Sequence, residues 1–163
     1  MTNKEMTEIF SVMLLAWPNA ETLRGGISKL GPTIKLWAAC TQDIDFWTGQ
    51  QAMIRLVKTC KFPPGVAEFR EQAEQVKGQI KSEARALISR IKMHNALGRS
   101  DAEYYASLRD GSFDKAVIAQ LGGPSNLTTG CMWNIEGIEA ACRAVIQDRP
   151  AMVGGLPAAL PGK

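Results

Sequence analysis

Lys77, Lys81 and Arg85 stand four residues apart, so a helix that carries them stacks three positive charges on one side. Neighbours of like sign on a helix cost roughly 0.2–0.5 kcal/mol per pair. Such a ridge can receive an acidic protein surface or phosphates, or it can simply be solvated. A second candidate is Met132-Trp133, beside the turn signal at Gly130. Exposed, this pair would anchor a partner; between two helices it would be core. Both candidates offer binding, and neither offers covalent chemistry.

The side chains that catalysis needs are not grouped anywhere. Cys40, Cys60, Cys131 and Cys142 are far apart, and the chain has one histidine, His94. Neither the paired short spacings of a zinc site nor a thiol–imidazole couple is evident. The cysteines read as apolar filling in a reducing compartment. His94, late in a long helical stretch, reads as a partner of the helix C-terminal dipole or a surface residue. Gly25-Gly26-Ile27-Ser28-Lys29-Leu30-Gly31 is the nearest run to a phosphate loop, and it lacks the Gly-Lys-Ser/Thr order that nucleotide binding requires. The expectation is a protein that is not an enzyme and uses no cofactor and no metal.

With 45% hydrophobic residues in 163, the chain has apolar material for one substantial domain or two small ones. A net charge of +3 is too small to argue nucleic-acid binding by itself. The apolar run from Ile9 to Trp17 is too short to span a bilayer, and Glu5 and Glu8 spoil the basic flank of a signal peptide. We expect a cytoplasmic protein without membrane contact.

Helices must position these residues. Met6, Ile9, Phe10, Met13, Leu14 and Trp17 repeat at helical spacing and Pro18 closes the segment. Gly25-Gly26 and Gly31-Pro32 break the pattern that follows, leaving a loop with one short helical turn. Pro32 suits the first position of a second helix that carries Ile34, Leu36, Trp37 and Cys40 into a core. Asp43 suits the N-cap of a third, with Phe46, Trp47, Ile54 and Val57 as its apolar residues and Cys60 at its end. Trp17, Trp37 and Trp47 are expected in the core.

Phe62-Pro63-Pro64 is then a structural corner, because each proline fixes its own φ and bars the residue before it from the helical region. Beyond it Val66, Phe69, Ala73, Val76, Ile80, Ala84, Leu87 and Ile91 step by three and four along one seam. At about 1.5 Å per residue such a helix reaches roughly 45 Å, more than a small bundle needs. Part of the seam is therefore expected to meet another segment or another chain.

The opening helix that ends in an aromatic and a proline, the helix with Ile34-Lys35-Leu36-Trp37, the Asp43-led helix and Lys61-Phe62-Pro63-Pro64-Gly65-Val66-Ala67-Glu68-Phe69 together resemble the replicative-helicase loader and inhibitor family of Gram-positive bacteriophages, over about the first seventy residues. The resemblance implies a small all-helical N-terminal domain and a later segment that engages a hexameric DnaB-type helicase until an origin-binding protein receives it. No helicase-contacting residue lies within the matched stretch.

After Gly98, Ser100-Asp101-Ala102-Glu103 fits a capping box, Tyr104, Tyr105 and Leu108 follow, and Asp110-Gly111 ends that helix. Ser112 suits the cap of a helix carrying Phe113, Val117 and Leu121. From Phe113 to Val145 the pattern is faintly that of a helix-turn-helix, with a last helix from about Asn134 to Gln147. Glu136 and Glu139 suit it poorly to a polyanion. From Asp148 onward the Pro/Gly-rich sequence is expected to be a flexible tail.

The expected architecture is all-α: a small N-terminal helical bundle with a long connecting helix over residues 1–97, a second helical region over 98–147 and the tail over 148–163. The function expected of it is that of a phage DNA-replication accessory that loads or inhibits a replicative helicase in the bacterial cytoplasm, without ATPase activity. A small helical DNA-binding regulator and a structural oligomer built through the long helix are the alternatives.

Overall fold

The computed structural model describes residues 1–128 and 135–148, and among them every regular element is helical. In chain order these are α1 (Asn3–Ala16), a 3-10 turn (Glu21–Leu23), α2 (Gly26–Lys29), α3 (Gly31–Cys40), α4 (Phe46–Thr59), α5 (Val66–Ala96), α6 (Asp101–Ser107), α7 (Phe113–Gln120), α8 (Ser125–Thr128) and α9 (Ile135–Asp148). The chain forms two compact units, Met1–Lys77 and the part from Gly78 onward, with the boundary inside α5. Both the expected tail and the Met132-Trp133 pair lie outside the described residues.

In the first unit α1 packs on α3 and α4. Thr2 and Glu5 form a reciprocal capping box at the start of α1, with Thr2 N donating to Glu5 Oε2 at 2.7 Å and Glu5 N to Thr2 Oγ1 at 3.3 Å. Met6, Ile9, Phe10 and Met13 then fall on one buried stripe. They meet Ile34, Trp37 and Ala38 of α3, Ala52, Met53 and Leu56 of α4, and Phe69 and Ala73 of α5 in one core. Trp37 is its aromatic hub, edge-on to Phe10 at 5.1 Å and tilted against Phe69 at 5.6 Å. Gly49, in the interior of α4, makes room for this: a Cβ there would lie 2.7 Å from Met1 Sδ and 3.3 Å from Phe69 Cζ.

Three expectations about this unit are corrected. Leu36 is 60% exposed, because α3 buries Ile34, Trp37 and Ala38 and Leu36 lies about 200° around the helix from Ile34. Trp17 is only half-buried, whereas Trp37 and Trp47 are buried. The N-cap of α4 is Asp45 rather than Asp43: Asp45 Oδ1 accepts from Thr48 N at 3.0 Å and Oδ2 from Thr48 Oγ1 at 2.7 Å. Asp45→Ala is therefore expected to cost about 1 kcal/mol in urea unfolding. Asp43→Ala, which removes no cap, should cost less.

In the second unit α7 packs on α9 and α6 on α8. Ser100 and Glu103 form the expected capping box of α6, and Ser112 caps α7. The α6 helix ends at Ser107, ahead of the Asp110-Gly111 stop expected from sequence. Gly122 and Gly123, with φ of +91° and +95°, make the turn from α7 to α8 in a region that side chains with a Cβ rarely enter.

The seam of α5 is fully spent within the chain. Phe69, Ala73, Val76, Ile80, Ala84, Leu87 and Ile91 are all 3% exposed or less. The helix is one unbroken 31-residue element, yet the surplus apolar surface expected of it is absent, because the segments after Gly98 bury side chains too, among them Tyr104, Val117, Ile118, Ile138 and Val145. The argument for a structural oligomer through this seam falls with it.

Candidate protein-binding surface

Between α4 and α5, Pro64 is buried while Phe62 is 71% exposed, with Lys61 Nζ 5.7 Å from its ring centroid. Gly65 N donates to Glu68 Oε2 at 2.7 Å, so the first amide of α5 is satisfied by a side chain one turn ahead. The corner thus holds a proline inward and presents an aromatic ring outward.

Of the three ridge cations, Lys77 is occupied. Its Nζ donates to Glu74 Oε1 at 2.8 Å and to the Asp43 carbonyl at 3.2 Å. Nearly two turns earlier, Arg70 forks onto the Asp43 carboxylate at 2.8 and 2.9 Å and also donates to the Cys40 carbonyl. The Arg70 guanidinium holds the Asp43 carboxyl below its usual range, and both side chains are about half in solvent. Asp43 is thus the fastening of α5 to the α3–α4 loop.

Lys81 and Arg85 are exposed and hold no ion pair among the described residues. Reading the sequence for partner contacts passed over Lys92, also exposed, and Met93 and Leu97, which are 67% and 69% exposed. The signal was present: Lys92 follows Arg85 by two turns, and Met93 lies off the seam by helical spacing.

The second unit also holds a polar knot. Arg90 donates from Nε and Nη2 to Asp114 at 2.7 and 2.6 Å, and the Tyr104 hydroxyl donates to the same carboxylate at 2.9 Å. The Asp114 carboxylate raises the Arg90 pKa. His94 lies edge-on to Tyr104 at 5.1 Å, half-buried rather than free at the surface.

Burial pushes the Tyr104 hydroxyl from 10.0 up to about 12, and the Cys142 thiol from 9.0 up to about 12. In each case the folded state favours the neutral form, so the unfolded chain loses its proton first as pH rises. Stability from these groups is complete below about pH 9 and is lost progressively towards pH 12. Urea unfolding repeated between pH 8 and 11 should show this fall, and Tyr104→Phe should remove the part that begins near the tyrosine's ordinary pKa.

Cavities of about 400 and 480 Å³ open beside Lys115 and Asp101 respectively, and neither is lined by a cysteine or histidine. Among the described residues no cluster of His, Cys, Asp and Glu could hold a metal ion, and no helix is long and apolar enough to cross a membrane. The exposed positions of α9 include Glu136, Ala140 and Asp148, a poor surface for reading a polyanion.

No curated protein and no solved structure matches the chain. A match does come from the protein families, and it coincides with most of the first unit. Residues 1–70, which hold α1 to α4, the proline corner and the start of α5, match the family model for the N-terminal domain of the phage helicase loader and inhibitor.

Proposed function

We propose that the chain is a phage or prophage replication accessory that binds a hexameric DnaB-type helicase in the bacterial cytoplasm and loads or restrains it until an origin-binding protein takes over. It is a binding protein with no nucleotide chemistry of its own. The observation that carries this reading is the family match over residues 1–70. Two features of the chain agree with it: the sequence has no Gly-Lys-Ser/Thr phosphate loop, and its exposed cations and exposed apolar side chains are surface features suited to a partner.

The test is a titration of the chain into its cognate replicative helicase while ATP hydrolysis and unwinding of a forked duplex are followed. A saturable change in either activity is expected, in a direction that separates loading from inhibition, with no hydrolysis by the chain alone. Unchanged activities at saturating concentrations, or hydrolysis by the purified chain, would count against it.

A further inference from the structure

We infer that the outward side of α5 from Lys81 to Leu97 seats an acidic amphipathic helix supplied by a partner protein. The inference rests on the reading above that the chain works by protein binding, and adds where and with what chemistry.

Lys81, Arg85 and Lys92 are separated by four and seven residues, which places them within about 40° of one another around the helix and spreads them over about 17 Å. All three are exposed. By contrast, Arg70, Lys77, Arg90 and Lys115 each face a carboxylate of the chain itself. The one acidic residue between Lys81 and Leu97 is Glu83, about 200° around the helix from Lys81. Next to the cationic row stand Met93 and Leu97, four residues apart and about two-thirds exposed.

A helix with carboxylates at the same four- and seven-residue steps can set one against each cation while its apolar side covers Met93 and Leu97. A nucleic-acid strand fits less well. It would leave both apolar side chains without a partner, and residues 81–97 contain no Phe, Tyr or Trp for a base to stack on.

The probe is a labelled synthetic helical peptide with leucines on one side and glutamates flanking them, followed by fluorescence anisotropy against the full chain. A peptide of the same composition in scrambled order and a single-stranded oligonucleotide are run beside it. The segregated peptide should bind about tenfold tighter than either control. K81E/R85E/K92E should weaken it about tenfold or more, and M93S severalfold. If charge reversal disturbs folding, judged by circular dichroism, K81Q/R85Q/K92Q serves instead, with the same direction expected. Equal binding of the scrambled peptide or the oligonucleotide, or indifference to these substitutions, overturns the inference.

The helicase separates the two readings. If it binds wild type and K81E/R85E/K92E alike, this seat is refuted and the helicase reading stands. If it binds neither while the segregated peptide binds wild type alone, the helicase reading falls and the seat stands.

Discussion

Phe69→Ala is expected to cost about 3–5 kcal/mol, a large part of the total stability of a unit this size. Phe69 is fully buried, leans on the Trp37 ring at 5.6 Å and comes so close to α4 that only a glycine fits at position 49 without displacing a neighbour. Removing the ring opens a cavity under Trp37 that neither Gly49 nor the edge-on Phe10 can fill. Tryptophan fluorescence during urea unfolding reads the effect directly, since Trp37 reports the contact. A loss below about 1 kcal/mol would mean that the site collapses around the smaller side chain and that the aromatic hub does not hold α5 to the first unit.

Leu87→Ala is the second large effect, about 2–5 kcal/mol. Leu87 has no exposed surface and lies on the stretch of α5 that the sequence alone left free to meet another chain. Because the seam is buried within the chain, the substitution should lower the unfolding midpoint equally at low and high protein concentration. A loss that grew on dilution would instead place Leu87 in an interface between copies.

These two residues also show what the sequence could and could not reveal. The seam from Phe69 to Ile91 was legible because three- and four-residue steps leave a helix no other buried side. What covers it was not, because burial is settled by segments far along the chain whose own apolar residues are shared among short helices. Leu36 and Asp43 failed for a local reason. Each lies within two residues of the position that takes the role, and helix phase or the exact start of a helix decides which neighbour wins. At the surface, the Lys77–Arg85 ridge was legible as a row of charges. That Lys77 is spent on Glu74 and Asp43 depends on a loop 34 residues away, which no spacing rule along one helix contains. Met93 and Leu97 went unnoticed because an exposed apolar side chain has no mark in the sequence beyond its distance from the seam.

The most direct measurement is sedimentation velocity of the full chain mixed with its cognate replicative helicase, without nucleotide, with ADP and with ATP. The account predicts that the chain moves with the helicase boundary in at least one of these states. A chain that sediments at its own rate in all three would contradict it.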